Sequence, residues 1–210
     1  MVEFVESLAL VGFGFALGFV ADFLREWSHT KIRRRKVATM LGAEMKAIER
    51  TAEWSVDCLT QRLAQVEKLR EGHAAAYIRI NDSDFPDDVY RTFLLDVGLL
   101  GPELAMQVTE LYRWIGYAHH RKEETNQAYK EVQLVLSRID PEKPDAHDLD
   151  LLKFHAGESS YFATVYSKVV SKIRDRARDA GRTLSTISGR SFDYDVEVGF
   201  KEGPVVWHYP

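Results

Sequence analysis

Ser7-Leu-Ala-Leu-Val-Gly-Phe-Gly-Phe-Ala-Leu-Gly-Phe-Val-Ala21 carries no charge, and Lys31-Ile-Arg-Arg-Arg-Lys36 follows almost at once. Spanning about 30 Å of hydrocarbon at 1.5 Å per residue takes roughly 20 residues. Residues 4–24 supply that length if Glu6 and Asp22 sit at the two interfaces, where a carboxylate stays hydrated. The expectation is a single transmembrane anchor over 1–24 with a basic flank over 25–36. A cleaved secretory leader fits less well, because Glu3 and Glu6 occupy the region that should be basic.

Charge asymmetry orients such a span. No Lys or Arg precedes it, whereas Arg25, Lys31, Arg33, Arg34, Arg35 and Lys36 crowd its far end. The positive-inside rule places the N-terminus outside and the bulk of the chain in the cytoplasm, in the cell (inner) membrane. The lone cysteine, Cys58, excludes an internal disulfide and agrees with a reducing compartment.

Gly14 and Gly18 lie four apart, the spacing that lets two helix backbones approach closely in a membrane. They are the expected helix-contact face, and a homo-oligomer is the expected state. The basic flank marks topology and is suited to anionic lipid headgroups. Nucleic acid is not expected: residues 37–210 carry 22 Lys and Arg against 28 Asp and Glu, and so lack a broad positive surface.

Beyond the flank the periodicity is helical, giving an all-α class with an antiparallel bundle of long helices over 37–181. Val37, Leu41, Met45, Ile48, Ala52, Val56, Leu59, Leu63, Val66 and Leu69 recur every three or four residues, with charge on the other side. That helix is open to being continuous with the anchor and ends near Gly72. A short helix follows, capped by Ser83 or Asp84, led by Pro86, Asp87 and Asp88 and closed by Gly98. A third runs from about Pro102 to Ile139 with a polar centre over 118–126. Pro141 and Pro144 interrupt the pattern. The fourth runs from about Asp145 to Ala180, with Gly181 as its stop.

Residues 182–210 read as a linker and an extended or hairpin-like tail. Phe192, Tyr194, Val196 and Val198 alternate with acidic residues, and 205–209 offer a returning strand. An isolated hairpin is marginal in water. The tail therefore either docks on the bundle or meets a partner through Phe192, Tyr194, Trp207 and Tyr209.

Catalytic chemistry finds no motif. The chain has no phosphate-binding Gly-x-x-x-x-Gly-Lys loop, no Gly-x-Ser-x-Gly elbow and no zincin sequence. His119 with Glu123, His120 with Glu124, and His155 with Glu158 share helix faces, but solvated pairing accounts for them. The di-iron pattern needs two Glu-x-x-His motifs, and only Glu26-Trp-Ser-His29 is present. Asp82, Asp84, Asp87 and Asp88 depart from an EF-hand loop, with Asp87 where the glycine belongs. No catalytic residue, cofactor or metal is expected. The expected function is a membrane-anchored helical interaction or scaffold module, self-associating and presenting surfaces to a protein partner. The alternatives are an oligomeric membrane-perturbing effector and a bundle metalloenzyme using His119, His120, Glu123 and Glu124.

Overall fold

The computed structural model describes residues 2–71, 84–140 and 145–192, with the side chains of 2–17 left aside. The described residues form four α-helices, one 3-10 turn and no strand. They are α1 (Val2–Arg70), α2 (Asp88–Phe93), α3 (Pro102–Leu136) and α4 (Ala146–Ser188), with the 3-10 turn at Val97–Leu100.

The transmembrane span expected over 4–24 is not supported: among the described residues no helix is long and apolar enough to cross a membrane. The part of that stretch with described side chains, 18–24, covers only about 10 Å of helix against roughly 30 Å of hydrocarbon. It already contains Asp22, and Arg25 and Glu26 follow directly. The single-pass inner-membrane placement and the N-out orientation drawn from the span fall with it. The apolar run is also no separate element. It forms the opening turns of α1, which runs through residues 24 and 36 without a break.

The bundle begins where α1 meets its neighbours. Val37, Leu41, Met45, Ile48, Ala52 and Leu59 are buried, the periodic stripe of the sequence becoming the core face. Leu104, Val108, Leu111 and Ile115 of α3 and Tyr166, Val170, Ile173, Ala177 and Leu184 of α4 close the same cluster. Each fully buried Leu or Ile removes enough apolar surface from water to contribute about 1.5–3 kcal/mol. A second, smaller cluster joins Leu69, Val132, Val135 and Leu152 at the other end.

The helix directions follow from which residues meet. Arg178 of α4 reaches Glu49 of α1, while Leu152 meets Leu69, so α4 runs antiparallel to α1. Tyr112 of α3 meets Glu44 and Tyr129 meets Arg62, so α3 runs parallel to α1. Three long helices therefore stand two up and one down, rather than in the fully antiparallel order expected. Leu100, just before α3, meets Arg34 near the start of the bundle part of α1, so α3 sets out from the same end. α4 packs along both other long helices.

α4 does not stop at Gly181. It continues for two further turns because Leu184 and Ile187 extend its apolar stripe onto the core. Gly189 ends it instead, in the left-handed conformation (φ +69°), with its N–H donating to the carbonyl of Ser185. Gly181 serves α1 instead: a Cβ there would stand 3.5 Å from that of Met45, ordinary van der Waals contact. The hairpin expected in the tail falls on 193–210, outside the described residues.

Candidate interaction surface

The described side chains of α1 change environment abruptly at Val37. From Val37 onward one face is buried, whereas every residue of 18–36 is exposed. Residues 2–36 thus form a helical arm about 50 Å long that leads out of the bundle. Phe19, Val20, Phe23, Leu24 and Trp27 follow the i, i+4, i+8 spacing that keeps them on one face. Phe19 is 77% exposed, Phe23 61%, Leu24 54% and Trp27 57%. Asp22, Arg25, Glu26 and His29 take the other face. Residues 18–29 of the arm are amphipathic, and among the described residues no other helix packs on their apolar face.

The root of the arm is fixed by two residues of the basic flank. Arg33 forms an ion pair with Asp96 at 2.6 Å, and Arg34 donates to the carbonyl of Leu100 at 3.3 Å. Both acceptors belong to the turn that precedes α3, so the parallel α1–α3 arrangement anchors the arm. Lys31 places its ammonium 5.0 Å from the centre of the Trp27 ring. Arg25, Arg35 and Lys36 are exposed along the same stretch. The flank therefore has a structural task that its charge alone did not reveal.

Gly14 and Gly18 both lie in α1, four residues apart and so on one side of the helix. Gly18 lies on the helix side shared with Asp22, Arg25 and His29, away from Phe23 and Trp27, and a Cβ at this position would meet nothing within 4 Å. Gly14 lies among the residues whose side chains are not described. Phe192 is buried, its ring resting on Gly42 so closely that a Cβ there would overlap it. Tyr194, Trp207 and Tyr209 fall outside the described residues.

A buried carboxylate braces the arm-bearing end. Glu44 accepts the N–H of Val89 at 2.8 Å and of Tyr90 at 3.0 Å, and the hydroxyl of Tyr112 also donates to it. The rings of Tyr90 and Tyr112 stack with centroids 3.8 Å apart. Glu44 thus caps α2 from another helix, a task expected of Ser83 or Asp84. Asp84 pairs with Lys122 instead, at 2.9 Å. Burial pushes the Glu44 carboxyl above its ordinary range, against the three donors that favour its charged form. Burial and the Glu44 contact likewise drive the Tyr112 phenol far up.

Glu49 is the opposite case. Burial disfavours its charge, but hydrogen bonds from Arg178 at 2.6 Å and Lys46 at 3.1 Å outweigh it and hold the carboxyl low. Arg178 reaches Glu53 as well, at 2.9 Å, tying α4 to α1.

Two of the three titratable pairs seen in the sequence form, whereas His119 makes no contact with Glu123 and buries its Nε2 without a hydrogen-bond partner among the described residues. His120 lies 3.4 Å from Glu124, and His155 lies 3.2 Å from Glu158, each within one helix. His120, Glu124 and Glu158 border a groove of about 690 Å³ between α3 and α4, where Glu123 and Glu131 also line the wall. Among the described residues no group of three or more His, Cys, Asp or Glu is placed to hold a metal ion. Compared with protein-family models, curated proteins and solved structures, the chain matches none.

Proposed function

We propose that this chain is a helical protein-interaction module in which the three-helix bundle holds the α1 arm out as a docking element. One observation carries the proposal: a single helix buries its apolar stripe inside the bundle and leaves Phe19, Phe23, Leu24 and Trp27 uncovered outside it. Apolar surface of that kind, rimmed by charge, is what protein interfaces use. Aromatic side chains held on a rigid helix lose little conformational freedom on docking and bury a large area each. The Arg33 and Arg34 contacts fix the direction in which the arm leaves the bundle, which favours one docking geometry.

The test is site-specific photo-cross-linking in cells making the full chain, with a benzophenone amino acid at position 23 and, as control, at the exposed bundle position 133. The expected result is a discrete protein adduct from position 23 that position 133 does not give. No protein adduct at 23, or the same adducts from both positions, overturns the proposal.

A further inference from the structure

We infer that the end of the bundle away from the arm opens and recloses as a unit of its own, while the arm-bearing end stays folded. The parting line is a buried polar layer between the two apolar clusters.

The order of the buried residues along the helices marks that layer. Leu59 of α1, Ala118 of α3 and Ala163 of α4 are the buried members of the larger cluster nearest the far end. Leu69, Val132, Val135 and Leu152 form the smaller cluster. Between them lie Arg62, Thr125, Tyr129 and Ser159, all buried. The Arg62 guanidinium stands 4.1 Å from the centre of the Tyr129 ring, which sets these parts of α1 and α3 at one level. On α4, Ser159 lies about one turn from Ala163 and about two from Leu152. Thr125 spends its hydroxyl on the carbonyl of Arg121 in its own helix. The Ser159 oxygen is buried with no hydrogen-bond partner among the described residues.

The two ends differ in what opening costs. A buried hydroxyl without a partner has lost hydration that opening restores, and a buried guanidinium regains water in the same step. Against that, the far end gives up only the burial of the smaller cluster. The ion pairs Arg70 with Glu67 and His155 with Glu158 each lie within one helix and hold no two helices together. Opening the arm-bearing end gives up the larger cluster and several ties from helix to helix. Arg178 reaches Glu49 and Glu53, Arg176 reaches Glu110, and Tyr112 reaches Glu44. The far end therefore opens at the smaller free energy, as units of unequal packing do. The contacts that aim the arm, Arg33 with Asp96 and Arg34 with Leu100, lie on the closed side. The arm keeps its direction while Leu69, Val132, Val135 and Leu152 are uncovered.

Hydrogen exchange of the full chain tests this, read by mass spectrometry in low, non-denaturing urea where exchange reports the opening equilibrium. Amides of 65–70, 130–136 and 150–158 are expected to exchange as one group with one urea dependence. That group is expected to exchange at least about tenfold faster than amides of 45–59, 108–118 and 166–180. Two variants then separate the units. Ile173→Val, inside the larger cluster, is expected to speed the second group several-fold and leave the first unchanged, because the first exchanges with the arm-bearing end still folded. Val132→Ala is expected to speed both groups, because global unfolding also opens the far end. A single rate and urea dependence for all these amides, or both groups speeded alike by Ile173→Val, overturns the proposal. Rates in the first group that climb gradually toward the helix ends with no urea dependence overturn it too, since fraying accounts for them.

Discussion

The ring of Phe192 rests directly on Gly42, so the end of the described chain is seated against α1 about two turns above the root of the arm. Replacing Gly42 by alanine favours the helix by about 1 kcal/mol, but evicting the ring forfeits part of the roughly 1.5–3 kcal/mol that its burial contributes. Gly42→Ala is expected to lower stability by about 1 kcal/mol in the otherwise unchanged protein and to raise it by about the same amount in a Phe192→Ala background. Urea unfolding of the four proteins reads the sign. The same effect in both backgrounds would contradict the contact.

Gly181 and Gly189 differ in backbone conformation, and alanine separates them. At Gly181 the helix continues and the space allows a methyl, so Gly181→Ala is expected to stabilise by about 0.5–1 kcal/mol. At Gly189 the positive φ strains any Cβ, so Gly189→Ala is expected to cost about 1–2 kcal/mol. Thermal or urea unfolding gives both values, and the reverse order would place the end of α4 at Gly181.

Glu44 and Glu49 give stability opposite pH dependences. The folded Glu44 carboxyl holds its proton above the ordinary value of 4.5, so its contribution is complete below that value and declines as pH rises through the folded pKa. The folded Glu49 carboxyl releases its proton below the ordinary value, so its contribution is complete above that value and is lost as pH falls through the folded pKa. Glu44→Gln is expected to flatten the decline on the less acidic side and Glu49→Gln the loss on the acid side. Each substitution also costs about 1–3 kcal/mol in broken charge-assisted hydrogen bonds. Unfolding free energies across pH would contradict this assignment if the two variants changed the same limb.

Arg33 and Asp96 fix the root of the arm more than they stabilise the fold. Their ion pair is largely open to water on the arginine side, so Arg33→Gln is expected to cost no more than about 1 kcal/mol. Amide hydrogen exchange over 31–36 is nevertheless expected to rise, and Asp96→Asn should reproduce it. Unchanged exchange in both variants would remove the pair from that role.

Much of the bundle was legible because its signals are local. The stripe from Val37 to Leu69 needed only helical spacing, and the fourth helix was placed from about Asp145, whose side chain proves to cap it by accepting the N–H of His147. Three features depend on contacts far apart in sequence. Glu44 caps α2 across some 45 positions, and no local pattern announces it. Gly181 looks like a helix stop until Met45 comes against it. The parallel course of α1 and α3 depends on contacts such as Arg34 with Leu100 and Glu44 with Tyr112, more than 60 positions apart. For the interaction surface, hydropathy located the apolar run but could not say what covers it. Helical register shows that Phe19, Phe23 and Trp27 form an exposed apolar row on a different side of the helix from Gly18.

A rigid arm continuous with the bundle is tested most directly by the distance between two spin labels on α1, at Asp22→Cys in the arm and Asp57→Cys in the bundle, with Cys58→Ser and an excess of unlabelled chain. Both positions are exposed. An unbroken helix between them fixes the separation at about 52 Å. The expected result from pulsed electron–electron resonance is one narrow distribution at that length. A broad distribution, or one centred below about 35 Å, far short of the straight-helix length, would contradict the account: the arm would bend back and cover its own apolar face.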